Sequence, residues 1–346
     1  MIVTDRLVRN REVLEDDTQP EDVLHRDGET DHLISLLSPL TAGGSASGAF
    51  IYGPPGTGKT VTARQIFDEL HEEADVATAE VDCWSDHSRR RALLAILNGL
   101  DDATAINAEN AAPGDLLHRI RNAVDGPAVV MFDEADQLED FTVLRDVYQL
   151  PDVTMLLIAN KEHSVFGNLE PGLHSRIGTM HRIKFDPYHD EQLVEILRER
   201  VRVGVHDGVV DDDHLEEIAD AAARDARVAI NILRVSLDLA TAREEESLSE
   251  AIIDDAIPIA QRDIAKARVS AVTREQRQLL EALLEIEPAK IGEIYEVYEA
   301  EIGDKTKRTI GNWLRDKFPQ YNLVQKDSSA SPTEFELTQA ARDVLK

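Results

Sequence analysis

The glycine-rich segment GPPGTGKT, residues 53–60, constrains the fold more than any other feature of the sequence. It fits the pattern G-x-x-x-x-G-K-[ST], in which a loop between a strand and a helix wraps its backbone N–H groups around phosphate. The apolar run AFIY precedes the segment, and the helical pattern KTVTARQIFDEL begins at its last two residues. This context predicts a site for ATP or ADP. The residues expected to contact the nucleotide are Pro54, Pro55, Gly56, Thr57, Gly58, Lys59 and Thr60.

Two acidic residues extend this prediction to a metal ion and to hydrolysis. Lys59 is expected to reach the β and γ phosphate oxygens, and the Thr60 hydroxyl to coordinate Mg²⁺. The apolar run VVMFDE ends in Asp133, a second anchor for Mg²⁺, and in Glu134, which can polarise the attacking water as a general base. The alternative is a strand that simply ends in acidic turn residues. The matching glycine loop favours the functional interpretation.

The next apolar run, TMLLIAN, ends in Asn160, whose neutral amide is suited to orienting the lytic water. The letters DEAD at residues 133–136 invite comparison with a class of helicases. That class needs a second ATP-binding core, for which this chain has no room, and its characteristic motifs are absent. We therefore treat these letters as incidental.

The apolar runs also predict the architecture. Runs at residues 76–82, 127–133, 153–160 and 181–185 alternate with amphipathic stretches, which is typical of parallel strands in a three-layer α/β domain. After residue 189 four helical patterns follow, the first three opening on Asp residues suited to capping. From Thr273, three helices precede two strand-like runs, the order of a winged helix-turn-helix. The predicted domains are 1–188 (α/β), 189–268 (helical lid) and 269–346 (winged helix).

Composition excludes several classes of protein. We find no run of 18 apolar residues and no signal-like leader, so neither a membrane span nor secretion is expected, and the predicted location is the cytoplasm. The single cysteine, Cys83, excludes an internal disulfide and is expected to be buried. His174 and His181 have no third ligand at a suitable spacing and are interpreted as structural.

The net charge of -30 argues at first sight against a polyanionic partner, because such a field repels phosphate. Two explanations compete. The acidic surface could mimic an acidic partner, or it could be adapted to high salt, where the Debye length shrinks to about 3 Å at 1 M. Only 10 of the 37 basic residues are Lys, and acidic, Lys-poor surfaces resemble those of halophile proteins. We favour the second explanation.

The charge balance of the tail differs from that of the rest of the chain. Residues 270–346 hold 14 acidic and 11 basic residues, and within residues 305–326 six basic residues face Asp316 alone. The third helix of the tail would enter the major groove of DNA, and the hairpin would form a wing. The predicted DNA contacts are Lys305, Lys307, Arg308 and Lys326. These residues could instead balance neighbouring acids, and a winged helix can also bind protein. The stripe Ile310, Trp313, Leu314 and Phe318 is expected to be core.

The order of glycine loop, carboxylate strand and polar strand end resembles the AAA+ ATPases. The resemblance implies that LEPGLHSRIG presents an arginine finger, Arg176, to a neighbouring subunit, and the alternative is a surface Arg paired with a local acid. In RDARVAINILR, an Asp225 cap would leave Arg227 in the first helical turn, where the macrodipole disfavours a cation unless an anion approaches. The resemblance makes Arg227 the sensor-2 residue. Arg234 is expected to be an ordinary surface or interdomain residue.

A closer resemblance covers the chain from about residue 13 to its end. The lead-in VLHRDGETDHLISLLSPLTAGG, the strand VDCW followed by SRRRALLAILNGL, the lid helix and a tail containing GEIYEVYEAEI are similar to the archaeal origin-recognition and cell-division-control (ORC/Cdc) initiators. This resemblance implies ATP-dependent binding of origin duplex DNA, recruitment of the MCM helicase, nucleoid association, and self-association or related initiator subunits. It also places the adenine beside Arg26 and Val23.

Two departures from that family are visible. The wing tip has Asp327 and neither Arg nor Gly, and the segment after LAILNGL is compressed into DDATAINAENAAPGD, where the family has an initiator-specific helical insertion. The leading hypothesis is a DNA-dependent ATPase that switches by slow hydrolysis. The alternatives are a clamp-loader-like or remodelling ATPase whose winged helix binds a protein, and a chain that binds ATP structurally with negligible turnover.

Overall fold

The computed structural model describes residues 6–15, 18–74, 76–100, 111–327 and 332–346. The described residues group into two compact units. The first unit is Gln19–Tyr188, and the second joins the N-terminal segment ending at Thr18 to His189–Lys346. The sequence predicted a single α/β domain over residues 1–188, but the structure assigns the segment up to Thr18 to the other unit.

The first unit is built on a five-stranded sheet in which every neighbouring pair is parallel. The strands are β1 Ala49–Tyr52, β2 Ala77–Asp82, β3 Ala128–Asp133, β4 Val153–Ala159 and β5 His181–Lys184, in the order β2-β3-β4-β1-β5. The helices of this unit are α1 Asp27–Leu37, α2 Lys59–Glu73, α3 Arg89–Leu100, α4 Pro113–Ala123, α5 Thr142–Tyr148, α6 Glu162–Phe166 and α7 Pro171–Ile177. The predicted parallel sheet is confirmed.

Apolar side chains cover both faces of this sheet. Phe50 and Phe132 belong to one buried cluster with residues of α3 and α4, whereas Ile51 and Met131 belong to a second cluster with residues of α1 and α2. Burial on both faces explains why β3 and β4 are nearly continuous apolar runs. The register pairs Tyr52 with Ala159, so the carboxyl ends of the central strands lie at one edge of the sheet, where such folds bind ligands.

Four helices follow in the second unit: α8 Asp190–Gly204, α9 Asp212–Ala221, α10 Ala226–Ala242 and α11 Glu250–Ala271. The Asp residues predicted as caps behave as expected at two of the three starts. The carboxylate of Asp211 accepts the His214 N–H, and that of Asp225 accepts the Arg227 and Val228 N–H groups. The prediction was wrong for α8, whose N-cap is His189.

The N-terminal segment packs on α8. Leu14 is 1% exposed, and Val8 forms an isolated antiparallel bridge with Val205 just beyond the end of that helix. The guanidinium of Arg200, a residue 9% exposed, donates to the carbonyl of Val13 at 2.7 Å and to that of Thr18 at 3.0 Å. This buried arginine therefore holds the segment to the helix.

Replacing Arg200 with Ala is expected to lower the free energy of unfolding by about 2 to 4 kcal/mol, because it leaves carbonyl groups without their charged donor. The matched control is Arg198→Ala on the same helix. Arg198 pairs with Asp212 at 3.1 Å in an exposed ion pair, so its loss should cost less than about 1 kcal/mol. Denaturant titration of both variants measures the difference, and equal costs would contradict this role of Arg200.

The rest of the second unit contains α12 Arg274–Ile286, β6 Ala289–Lys290, α13 Ile291–Glu301, α14 Lys307–Asn312, α15 Phe318–Gln320, β7 Val324–Asp327, β8 Glu334–Leu337 and α16 Gln339–Leu345. The π-helical turn Trp313–Lys317 joins α14 to α15. The strands form an antiparallel sheet in the order β6-β8-β7. β6 and α16 were not predicted, and the predicted wing tip lies partly outside the described residues.

This tail contacts the lid within the same unit. Helix α11 packs against α16, and Arg268 near the end of α11 donates to the Tyr321 carbonyl at 2.8 Å. The other Nη atom of Arg268 lies 3.9 Å from Asp225, the cap of α10. The structure therefore gives lid and tail a shared interface, where the sequence predicted two separate domains.

Candidate nucleotide-binding site

The glycine-rich loop lies between β1 and α2, as the motif predicts. Gly58 has φ +86°, a conformation that favours glycine, and a Cβ there would lie 2.6 Å from the Tyr188 hydroxyl. At Gly53 a Cβ would lie 2.1 Å from the Phe185 carbonyl oxygen. Both glycines are therefore required by close approach of residues 185–188 to the loop.

Lys59 and Asn160 meet at the carboxyl edge of the sheet. The Lys59 Nζ donates to the carbonyl oxygens of Gly53 at 2.8 Å and Pro54 at 2.7 Å, and to the Asn160 Oδ1 at 3.3 Å. Both side chains belong to residues only 7% exposed. The structure thus brings together a cation and an amide that the sequence places 101 positions apart.

Thr60 and Asp133 form the candidate metal site. The Thr60 hydroxyl donates to Asp133 Oδ2 at 2.9 Å, and the other carboxylate oxygen accepts the Glu134 N–H at 2.9 Å. Burial raises the pKa of the Asp133 carboxyl above its ordinary value, although the Thr60 hydrogen bond opposes the shift. A divalent cation would stabilise the ionised form, and carboxylate and hydroxyl oxygens are ligands that Mg²⁺ accepts. The donor set therefore fits Mg²⁺.

Glu134 adopts an uncommon backbone conformation. Its φ is +51°, in the left-handed region, and a short 3₁₀ turn, Ala135–Gln137, begins directly after it. Non-glycine residues in this region carry a conformational cost that often accompanies function. The half-buried Glu134 follows Asp133 directly at the end of β3, next to β4, which Asn160 follows.

An ion pair lies beside the candidate metal site. Arg64 on α2 and Glu80 on β2 form a bidentate pair, with the Arg64 Nε at 3.0 Å and 3.1 Å from the two carboxylate oxygens. The hydrogen bond to Glu80 raises the pKa of Arg64. This pair could not be predicted from the sequence, because neither residue belongs to a motif.

Arg176 is exposed on the last turn of α7. Its guanidinium lies 5.8 Å from the ring centroid of Tyr148, itself 41% exposed. Of the residues that the structure describes, none forms an ion pair with Arg176, so the alternative of a locally paired arginine is not what the structure contains. An arginine held on the surface by an aromatic ring is available to another molecule. Its role as a finger remains a prediction.

Arg227 is half-buried in the first turn of α10, directly behind the Asp225 cap. Because this helix belongs to the second unit, its function toward the nucleotide remains a prediction. Arg234 has local partners, as expected: it donates to Asn231 at 2.7 Å and pairs with Glu15 at 3.6 Å and Asp263 at 3.7 Å.

Arg26 and Val23 were predicted beside the adenine. Val23 is half-buried, and Arg26 is 5% exposed. The Arg26 guanidinium donates to the carbonyl of Thr57 in the loop at 2.9 Å and to the carbonyl of Asp186 at 2.7 Å. Its carbon Cζ lies 4.0 Å from the Tyr188 ring centroid, and burial raises the pKa of that phenol. Base contact by either residue remains a prediction.

The basic residues of the tail lie on its surface. The exposed residues are Lys305, Lys307, Arg308 and Lys326. Ile310, Leu314 and Phe318 are fully buried, so their expected place in the core is confirmed, and Trp313 is half-buried. Asn312 at the end of α14 and Arg315 within the π-helical turn are also exposed. Neither residue was predicted as a DNA contact.

The cysteine and the two histidines singled out in the sequence have apolar or aromatic surroundings or lie in the interior. Cys83 is buried, as expected. His174 stacks edge-on against Phe166 and His181 against His32, and the described residues contain no group of three or more His, Cys, Asp or Glu that could hold a metal ion. Across the same part of the chain, no helix combines the length and the apolar character needed to span a membrane.

The parallel sheet, the glycine loop and the Thr60–Asp133 pair define a P-loop ATPase of the AAA+ class. Family comparison agrees: residues 43–165 match an AAA domain, and residues 194–258 match a Cdc6 AAA+ ATPase-type lid domain. Nucleotide binding and ATPase activity follow from this membership.

Comparison with whole proteins narrows the class to one family. The chain is 37% identical to ORC1-type DNA replication protein 1 of Halobacterium salinarum, over 88% of this chain and 100% of that protein. It is 35% identical to ORC1-type DNA replication protein 9 of the same organism, over 96% and 94%. The chain belongs to the ORC1/Cdc6 family of AAA+ replication proteins, which confirms the resemblance seen in the sequence.

A solved structure covers almost the whole chain. The Aeropyrum pernix ORC1 protein, in a structure of its complex with DNA, has a TM-score of 0.78 and 26% identity, and the match covers 99% of this chain and 97% of that one. The two Halobacterium relatives come from a halophile, which agrees with the interpretation of the acidic, Lys-poor composition.

Proposed function

We propose that this protein is a replication initiator that binds origin duplex DNA in its ATP-bound state and helps to load the MCM helicase, with slow hydrolysis resetting it. The observation that supports this most is the full-length likeness to ORC1 in a complex with DNA. The exposed basic helix in an otherwise acidic chain adds a physical reason. In this proposal the tail, with its three helices and β7–β8 hairpin, is a winged helix-turn-helix.

ATP binding exchanges the partners of Lys59. Its ammonium group is held by loop carbonyls and Asn160, and phosphate oxygens would replace the carbonyls as stronger, charged acceptors. Thr60 and Asp133 would hold Mg²⁺. When bound there, the ion neutralises charge that develops on the phosphates. Glu134 would accept a proton from the attacking water, and Asn160 would orient that water.

DNA binding would use the exposed side of the third tail helix. In this proposal Lys305, Lys307 and Arg308 would contact phosphates, Asn312 and Arg315 would contact base edges in the major groove, and Lys326 would contact DNA from the wing. High salt weakens the phosphate contacts, because counterion release drives less of the binding. We therefore expect hydrogen bonds to bases to contribute a larger share of the binding free energy than in a protein that works at low salt.

Arg176 would complete the site of a neighbouring subunit, either a second copy or a related initiator. A finger in trans stabilises charge on the γ-phosphoryl group as it leaves. Its exposure beside Tyr148, with no acid paired to it in the described structure, is consistent with that use.

Chromatin immunoprecipitation tests the proposed function in the cell. We expect enrichment at a small number of discrete sites where replication starts, and MCM should be enriched at the same sites. Enrichment spread evenly over the genome would contradict the proposal. A partner that survives nuclease treatment in pull-down, with no discrete DNA sites, would favour the clamp-loader-like or remodelling alternative.

The Asp225 cap gives a test of the sensor-2 assignment. Asp225→Ala should cost about 1 kcal/mol through the lost cap and should also weaken ATP binding, because Arg227 lies in the first turn that the cap orders. The control is Asp211→Ala, which removes the cap of α9, a helix without a predicted nucleotide contact. Equal ATP affinity in the two variants, measured by calorimetry, would contradict the role assigned to Arg227.

A further inference from the structure

We infer that Arg26 is a positioning residue that sets the conformation of the phosphate loop, and that it does not bind the adenine base. The inference deepens the proposed ATP-binding function and rests on it. It assigns one buried arginine to the triphosphate end of the ligand, although the family resemblance implied a place beside the base.

Every nitrogen of the Arg26 guanidinium already donates to the protein. Nε donates to the Thr57 carbonyl at 2.9 Å, Nη2 to the Asp186 carbonyl at 2.7 Å, and Nη1 to the Glu29 carboxylate at 3.1 Å. These contacts come from the glycine loop, from the end of the first unit and from α1. A planar fork can make such bonds at once, whereas an ammonium group cannot reproduce their geometry.

The face of the guanidinium is also covered. The Tyr188 ring centroid lies 4.0 Å from Cζ and the Phe185 ring centroid 5.3 Å. An adenine base could use Arg26 only by stacking on its face or by accepting from its edge. Each guanidinium nitrogen already donates one N–H to a protein acceptor, two aromatic rings lie against the group, and the residue is only 5% exposed, which leaves little room for a base.

The bond to Thr57 explains how Arg26 can act on phosphate. In a trans peptide the C=O and N–H groups point in opposite directions, so fixing the Thr57 oxygen also fixes the direction of the Gly58 N–H. Gly58 belongs to the loop whose N–H groups are expected to face phosphate. Its φ of +86° and the Tyr188 hydroxyl beside it constrain the same peptide from the other side.

The bond to Asp186 extends this control along the chain. Asp186 and Tyr188 are among the last residues of the first unit, which ends at Tyr188. Arg26 therefore holds the phosphate loop and this terminal segment through a single side chain. Ordering of the loop by a nucleotide should consequently order the segment as well.

Binding measurements with Arg26→Lys test the inference. The ligands are Mg·ATP, Mg·GTP and inorganic tripolyphosphate, each displacing a fluorescent ATP analogue, and the control is Glu29→Gln, which keeps an acceptor oxygen at the Nη1 contact. We expect Arg26→Lys to weaken ATP, GTP and tripolyphosphate by the same factor, about tenfold, as for the loss of one charge-assisted hydrogen bond. Glu29→Gln should change each affinity less than about twofold.

Two results would overturn the inference. A loss of ATP over GTP preference with unchanged tripolyphosphate binding would overturn the inference in favour of base contact, and unchanged affinities would show a role only in folding. If Arg26→Lys does not fold, Tyr188→Leu, which removes the stacked ring, should give the same pattern at smaller amplitude. Failure of the wild type to bind ATP would refute the proposed function itself, separately from the role of Arg26.

Hydrogen exchange gives a second readout that a purely structural residue would not change. In the wild type and in Glu29→Gln, ATP should slow exchange of the Asp186 and Tyr188 amides. In Arg26→Lys this slowing should disappear even at saturating ATP. Slowing that persists in Arg26→Lys would overturn the link between the loop and the segment.

Discussion

Replacing Glu134 with Gln is expected to slow ATP hydrolysis about 100-fold or more, the contribution typical of a positioned general base. ATP affinity should stay within about twofold, since the amide keeps the shape of the side chain and its charge is not needed to hold the triphosphate. Glu134 follows the metal-site residue Asp133 directly and has a left-handed backbone conformation just before the 3₁₀ turn Ala135–Gln137. Single-turnover hydrolysis and a separate binding titration measure the two quantities.

The contrasting variant is Lys59→Ala. It removes the cation that meets the phosphates, and we expect ATP affinity to fall about 100-fold, as for a buried charge-assisted contact. A chain that binds ATP only structurally would behave differently. Phosphate release would then be unchanged in Glu134→Gln, although Lys59→Ala would still abolish binding.

Reversing two charges at the start of the third tail helix, one just before α14 and one in its first turn, should have the next largest effect. Lys305→Glu with Arg308→Glu is expected to lower duplex affinity about 100-fold near 0.1 M salt and to reduce the slope of log affinity against log salt by about 2. Both side chains are exposed, and neither forms an ion pair in the described structure. The loss should shrink in molar salt, because screening removes most of the electrostatic contribution.

The control carries the same change of charge in the same part of the chain. Arg274→Glu with Arg277→Glu alters two exposed residues of α12, a helix with no predicted DNA contact. Binding to fluorescent duplexes from near the gene, over a range of salt, compares the two variants. Equal losses would mean that only net charge matters and that the assigned helix is wrong.

Most of the nucleotide site could be predicted because its residues lie at strand ends or within a contiguous motif. Lys59, Thr60, Asp133 and Asn160 each follow an apolar strand or belong to the glycine loop, and parallel strands bring their carboxyl ends to one edge. The structure then supplies the bonds between them. The alternation of apolar and amphipathic segments was sufficient to predict this arrangement of strand ends.

The contacts of Arg26 and Arg200 could not be predicted. Arg26 bonds to carbonyl groups 31 and 160 positions away, and Arg200 bonds to the Thr18 carbonyl 182 positions away. Backbone carbonyls are present at every residue, so the sequence has no pattern that identifies which of them an arginine will reach. For the same reason the assignment of the N-terminal segment to the second unit emerged only from the structure.

The exposed surface of the tail was predicted in part. Basic composition indicated Lys305, Lys307 and Arg308, since charge is visible in the sequence. Asn312 was missed because it is uncharged and composition does not mark it, and Arg315 lies within a π-helical turn that begins at Trp313. Such a turn shifts the positions that follow it, so simple helical spacing is not a sufficient guide.

In the proposed function, nucleotide in the first unit controls how tightly the tail binds duplex DNA. The most direct test is the affinity of the wild-type protein for an origin-proximal duplex in molar salt, measured with ATP, with ADP and without nucleotide. We expect binding to be about tenfold or more tighter with ATP, within the range of ordinary coupling between two sites. The same affinity in all three states would contradict it.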